Sequence, residues 1–174
     1  MITQISEELI REAITRAVQS VFKTMLHHGV VFAGASASLT PGEGVPPHVT
    51  TESRPQVVGT VGFIGDVNGL IYLYMSDEFA QRITAEMLGM TPGEIAEGGD
   101  ETINDAIGEI TNMTVGGFKN ALCDIGFPCM LTIPSILRGS NFSVEPISTA
   151  TRYVFHFDCA GHRLVTDILM KVGD

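Results

Sequence analysis

The sequence has no tryptophan, few basic residues and little cysteine, and the last two shortages narrow what the chain can be. Ten Lys and Arg stand against twenty Asp and Glu, a formal net charge of −10 over 174 residues. A nucleic-acid-binding chain needs a basic footprint, and an anionic membrane surface attracts the same sign, so both classes of partner are excluded. No stretch reaches the roughly 18 unbroken apolar residues of a spanning helix. The start, MITQISEELIREA, has neither a basic n-region nor an apolar h-region, so no signal peptide is expected and the chain reads as cytoplasmic. Cys123, Cys129 and Cys159 show no CxxC spacing, which suits reduced thiols better than a disulfide framework. Hydrophobic residues are not in short supply: at 44% they suffice for a packed core, and one domain over 1–174 is expected.

Periodicity predicts an amphipathic helix over 4–26, with Ile10, Ile14, Ala17, Val18, Val21 and Met25 on one face. Val30 to Ala35 reads as a short strand. Residues 36–55 are rich in Gly, Pro, Ser and Thr and read as a long loop. Val57 to Ile64 and Leu70 to Met75 are β-branched and aromatic, with Gly65 to Gly69 between them, so a hairpin is expected. Ser76 can cap the helix that follows and Gly89 can end it. Thr91 to Gly99 reads as a loop, Phe127 to Ile133 as a strand closed by Pro134, and Val144 as the possible start of another strand. Thr151–Asp158 and Leu164–Met170 make a terminal hairpin about Ala160-Gly161. Helices separated by hairpins predict an α+β fold, a largely antiparallel sheet packed with three main helices.

The stretch that carries the chemistry runs from Asp100 to Gly126, DETINDAIGEITNMTVGGFKNALCDIG, with the period of one long helix. At about 100° per residue, Asp105, Glu109, Asn112 and Gly116 fall within about 60° of one another. Ile103, Ile107, Ile110, Thr114, Phe118, Ala121 and Ile125 cluster opposite, the side expected to face a core. Solvated helix faces usually carry Glu and Lys at i, i+4. This stripe carries Asn and glycine instead, both poor helix formers, so stability does not explain it.

Asp105-x3-Glu109-x2-Asn112, followed by twenty-one residues and Pro134, resembles the signature of the CheC/CheX/FliY family, phosphatases of the phosphorylated chemotaxis response regulator CheY. GTVGFIGDVNGLIYLYM at 59–75, the helix ending at Leu88-Gly89, ITNMTVGGFK at 110–119 and LTIPSILRG at 131–139 are similar to segments of that family, so the resemblance covers most of the chain. It implies a CheC-like fold and hydrolysis of an aspartyl phosphate, with a phosphorylated CheY-like receiver as partner. Such a phosphate sits beside the receiver's own Mg²⁺ and lysine, so no cofactor or metal in this chain is expected. What is missing is a water held in line with the breaking bond. An uncharged amide, both donor and acceptor, suits that task, and Asn112 is assigned to it. By resemblance, Glu109 pairs with the receiver's lysine, and Asp105, Gly116 and Lys119 are expected at the partner interface. Gly116 and Gly117 would let a partner's backbone come close; the family often has Gly-Asn where this chain has Gly116-Gly117. The helix over 4–26 lacks the signature, since Thr15 stands three residues after Glu12, which leaves one active face per chain. A single signature copy resembles the CheX branch, which implies a homodimer, and a hairpin-rich sheet has edges that pairing could cover.

Other chemistries fare worse. His27 and His28 are adjacent and face different sides of a helix. His156, Asp158 and His162 surround a hairpin turn and could converge, but a surface histidine is the commoner outcome. Cys159 lacks a base at a recognisable spacing, and the glycines near 42–44 lack the GK[ST] of a P-loop. The competing functions are a non-catalytic receiver-binding module, a switch or scaffold component with no need of the amide, and a small-ligand sensor using the 36–55 loop, which carries no recognisable chelating or phosphate-cradling pattern.

Overall fold

The chain opens on α1 (Glu7–Leu26), where the Leu9 N–H donates to the Ser6 hydroxyl at 3.2 Å and His27 closes the helix in the left-handed region. The computed structural model describes residues 4–36, 54–142, 144 and 149–173. β1 (Val30–Ala35) has the bounds expected from its apolar run. β2 (Gln56–Gly65) and β3 (Val67–Ser76) form a longer hairpin than expected, with Asp66 alone between them. α2 (Asp77–Leu88) is capped by Ser76 and closed by Gly89 at φ 64°, the two residues the sequence marks for those tasks.

Thr91–Gly99, expected as a loop, is helical. The Thr91 hydroxyl accepts from the Glu94 N–H and the Glu94 carboxylate accepts from the Thr91 N–H, a capping box with Pro92 at the first helical position. α3 therefore runs Pro92–Asp124, broken at Gly99 (φ 65°, ψ −167°). The glycine content masked that start signal, and the segment from Asp100 onward is the helix expected.

The strand expected over 127–133 is also corrected. β4 is only Cys129–Leu131, and the chain re-enters the sheet as β5 (Ser135–Gly139). Pro134 has no N–H for the ladder, so it interrupts the edge strand where the sequence suggested it would end it. Thr132 fills the gap: its N–H donates to the Gly62 carbonyl at 2.8 Å and its hydroxyl accepts from the Gly62 N–H at 2.9 Å. β6 (Thr151–Cys159) and β7 (His162–Val172) form the terminal hairpin. Val144 lies in no strand, and most of the 36–55 loop falls outside the described residues.

Every strand pair is antiparallel, in the order β1-β6-β7-β3-β2-β4, with β5 continuing beside β2 along the same edge as β4. The main core fills the space between the three helices and one sheet face, where Val57, Val61, Phe63, Ile71 and Phe157 meet Ile14, Val18, Ile107, Ile110 and Phe118. A smaller cluster, Val58, Tyr74, Val154 and Val165 with Phe142 and Val144 against it, covers part of the other face. Beside it the Arg152 guanidinium binds the Asp167 carboxylate through two hydrogen bonds of 2.9 and 2.8 Å, both side chains buried. Burial pushes the Asp167 carboxyl up, and Arg152 opposes that shift.

Candidate functional site

The face of α3 that carries Asp105, Glu109 and Asn112 is held in place from several sides. On the sheet side, Thr111 lies against Gly59 of β2, so close that a Cβ on Gly59 would stand 1.9 Å from the Thr111 Oγ1. Two turns on, Phe118 packs against Phe63 with ring centroids 5.9 Å apart. On the α1 side, a Cβ on Gly117 would be 3.1 Å from that of Ala17. Gly117 therefore serves the close approach of two helices within the chain. Beyond the Gly99 break, Arg138 of β5 donates twice to the Asn104 side-chain oxygen (2.9 and 2.8 Å), donates to Asp77 at the start of α2 (3.2 Å) and pairs with Asp100 at 3.6 Å. One guanidinium thus ties β5, α2 and α3 together just before the stripe begins.

Asp105 and Glu109 are exposed, while Asn112, Gly116 and Lys119 are half-buried. The difference comes from β4, which runs beside the second half of the stripe: Leu131 Cδ1 is 3.8 Å from where a Gly116 Cβ would stand. A Cβ at Gly116 would therefore meet Leu131 at ordinary van der Waals distance. Opposite the stripe, Ile103, Ile107, Ile110, Thr114 and Phe118 are buried as expected, but Ile125 is 42% exposed and forms the C-cap of the helix. The buried face is wider than the sequence suggested and includes Ala106, Gly108, Thr111, Val115 and Leu122, because α3 packs against α1, α2 and the sheet at once.

Polar neighbours on α3 are satisfied within the fold. The Thr111 and Thr114 hydroxyls donate to the Ile107 and Ile110 carbonyls, and Asn104 is taken by Arg138. In contrast, the side chains of Asp105, Glu109 and Asn112 make no hydrogen bond or ion pair among the described residues. The Lys119 ammonium donates to the Asn120 side-chain oxygen at 3.5 Å, its one hydrogen bond among the described residues. An amide and a carboxylate just under one turn apart are therefore left available on a rigid support. Two surface grooves, between α1 and α3 and between α2 and the start of α3, include none of these three residues. Small-molecule sites are concave; an exposed helical stripe suits a partner that brings the pocket itself.

Pro134, the last member of the sequence signature, is exposed in the break between β4 and β5. The histidines weighed as ligands are engaged separately: His156 bonds the Ser36 hydroxyl at 3.0 Å, Asp158 pairs with Arg163 at 2.7 Å, and His162 stacks on Phe79 at 4.5 Å. Among the described residues, no His, Cys, Asp and Glu cluster is arranged to hold a metal ion. Arg138 and the strand β5 were not anticipated; the sequence pointed to this edge only through the strand expected over 127–133.

Three helices on one face of an open antiparallel sheet make an α+β layer fold, with an unpaired carboxylate and amide along α3. The sequence pattern of the family described as chemotaxis phosphatase CheX matches residues 57–158. That span is more than half of the chain, and the chain belongs to this family. It is 29% identical over 109 residues to the CheY-P phosphatase CheX of Thermotoga maritima, covering 62% of this chain and 68% of the relative. Among solved structures, it is similar to a CheC-like superfamily protein from Shewanella sp. PV-4 (22% identical, TM-score 0.75, 95% and 99% of the two chains). It is also similar to the CheX-CheY-BeF3-Mg²⁺ complex of Borrelia burgdorferi (20% identical, TM-score 0.63, 97% and 99%). The α+β fold expected from the sequence is the fold these proteins share. No helix among the described residues is long and apolar enough to cross a membrane.

Proposed function

We propose that this chain hydrolyses the aspartyl phosphate of a CheY-like receiver domain. In this reading Asn112 orients the attacking water and Glu109 engages the receiver's active-site lysine. The observation that carries the reading is the unpaired amide and carboxylate on one face of a helix packed on its other sides. Family membership supports it, and so does the likeness to a relative described as a CheY-P phosphatase and to a complex that holds CheY with BeF3 and Mg²⁺.

In the reaction, the water oxygen forms a bond to phosphorus as the bond from phosphorus to the aspartyl oxygen breaks. Inorganic phosphate leaves and the receiver's carboxylate is restored. The Asn112 side-chain oxygen accepts a hydrogen bond from that water, aiming a lone pair along the line of the breaking bond. Charge on the phosphoryl oxygens is left to the receiver's own Mg²⁺ and lysine, so this chain supplies no cofactor. Glu109 meets the lysine by charge complementarity, which sets register and desolvates the site. Asp105, Gly116 and Lys119 flank these two along the helix and contact the receiver around them.

The active form is a homodimer joined across the β1 edge, which no strand covers among the described residues and which lies at the far side of the sheet from β4 and β5. Pairing there covers an exposed edge and leaves both stripes open. Light scattering at micromolar protein should give twice the chain mass; a monomer mass overturns the dimer. Release of inorganic phosphate from Mg²⁺-loaded, aspartyl-phosphorylated receivers, with the chain limiting, tests the activity. Release no faster than the receivers' own decay across a panel would leave a receiver-binding module.

A further inference from the structure

We propose that Ile133 is an apolar anchor for the receiver, seating one of its loops beside the phosphoaspartate while Asn112 and Glu109 act. This inference rests on the receiver as partner and adds the residue that supplies much of the docking affinity. Ile133 is 86% exposed, the highest exposure of any large hydrophobic residue among those described. A single exposed apolar side chain is ordinary. This one is neither isolated nor loose.

The turn that presents it is built. Leu131 pairs with Phe63 and Ser135 with Thr60, so three residues, 132–134, span the two positions Gly62 and Val61 of β2. That is one residue more than the ladder accommodates, a bulge, and bulges re-aim side chains beside functional sites. Thr132 is pinned to Gly62 through both its N–H and its hydroxyl, and the Pro134 ring fixes the following φ. Ile133 is the middle residue of the three and is turned outward. Its backbone is ordered before any partner arrives, so docking it costs little conformational entropy.

The bulge lies alongside the proposed catalytic turn. At one end, Leu131 approaches Gly116 of the stripe. At the other, Ile136 pairs with Gly59, the residue on which Thr111 sits. Between those two points α3 makes the turn from Asn112 to Gly116, and β4 and β5 make the bulge. Ile64 and Met130, cross-strand partners 62% and 76% exposed, continue the apolar surface around the edge.

The occupant follows from the same geometry. A second copy adding a strand here would need a regular edge, and Pro134 with the bulge breaks it. A receiver suits it better: in an open α/β domain the reactive site lies at the carboxyl ends of the strands, rimmed by strand-to-helix loops. With Asn112 at the phosphoryl group, Ile133 meets that rim. Binding energy concentrates where a side chain fills a desolvated pocket on the partner.

The test uses the full chain with Ile133→Ser. Affinity for a receiver loaded with BeF3⁻ and Mg²⁺ should fall about ten- to a hundredfold, the range expected for burying one isoleucine. The single-turnover rate at saturating receiver should stay within twofold, and the unfolding temperature should not change. Ile133→Leu should restore most of the affinity. An unchanged Kd in Ile133→Ser overturns the inference while leaving the proposed activity standing. So does a dimer that dissociates in the variant with receiver affinity intact, which would assign Ile133 to self-association. A wild-type chain that binds no receiver overturns the proposed function itself, and this inference with it.

Discussion

Gly59 is a sensitive point for both stability and activity, because one methyl group there contests the seat of α3. A Cβ at Gly59 would stand 1.9 Å from the Thr111 Oγ1, 2.8 Å from its Cβ and 3.0 Å from its Cγ2. Thr111 is fully buried and its hydroxyl donates to the Ile107 carbonyl, so it cannot rotate out of the way without losing that bond. Gly59→Ala must therefore lift the helix from β2, and overpacking of this kind typically costs about 1–3 kcal/mol. At about 2–4 °C per kcal/mol for a chain of this size, the unfolding temperature should fall by roughly 2–12 °C. Asn112 is the next residue, so lifting the helix also displaces the amide; a misplacement of about 1 Å can cost on the order of a hundredfold in rate. Thr111→Ala alone relieves only part of the clash, since its Cβ remains at 2.8 Å. Thr111→Gly removes all three of these contacts at a few tenths of a kcal/mol of helix propensity, since glycine lies about 1 and threonine up to about 0.7 kcal/mol below alanine. The double variant Gly59→Ala/Thr111→Gly should therefore recover activity better than Gly59→Ala/Thr111→Ala. Denaturant unfolding and phosphate release on the three variants supply the measurements. If Gly59→Ala matches the wild type in both, α3 does not sit on β2 as described and the argument for a rigidly held stripe fails.

Asn112→Ala should fold normally and bind a phosphorylated receiver, yet lose turnover by a factor on the order of a hundred or more in single-turnover assays; full activity would refute the water-positioning assignment. Glu109→Ala should instead lose affinity and turnover together, because it removes a charge contact to the partner; a direct binding titration separates the two. Acid should loosen the α2 link to the end of α1: burial pushes the Glu86 carboxyl up, but hydrogen bonds from His28 and Arg82 outweigh it and hold Glu86 below its ordinary value near 4.5. A carboxylate lowered in the fold stabilises above its unfolded pKa and loses that contribution as pH falls through the folded value. The stability gap between wild type and Glu86→Gln should therefore shrink in urea unfolding as pH falls below the ordinary carboxylate value near 4.5; a gap independent of pH across that range would contradict the linkage.

The sequence alone was enough wherever the deciding energy is local. Ser76 and Gly89 bound α2 because a cap hydroxyl and a left-handed C-cap act within a turn of themselves. The bounds of β1, the burial of Ile103, Ile107, Ile110 and Phe118, and the exposure of Asp105 and Glu109 follow from period alone. The spacing of Glu109, Asn112 and Pro134, taken with the hairpin segment at 59–75, likewise indicated the family. Tertiary structure decided what depends on residues far apart in the chain. Gly116 and Gly117 are identical in sequence terms, yet one lies beside Leu131 of β4 and the other admits Ala17 of α1, because only packing distinguishes two faces of a helix wrapped on three sides. The break of the edge into β4, a bulge over 132–134 and β5 is a matter of register against β2, where Thr132 takes both ladder bonds of Gly62 and Pro134 has no N–H to donate. That the Asn112 amide stays unpaired while Asn104 is taken by Arg138 was equally out of reach, since it depends on which strand edge lies beside which turn of α3, a non-local outcome that no window of neighbouring residues encodes.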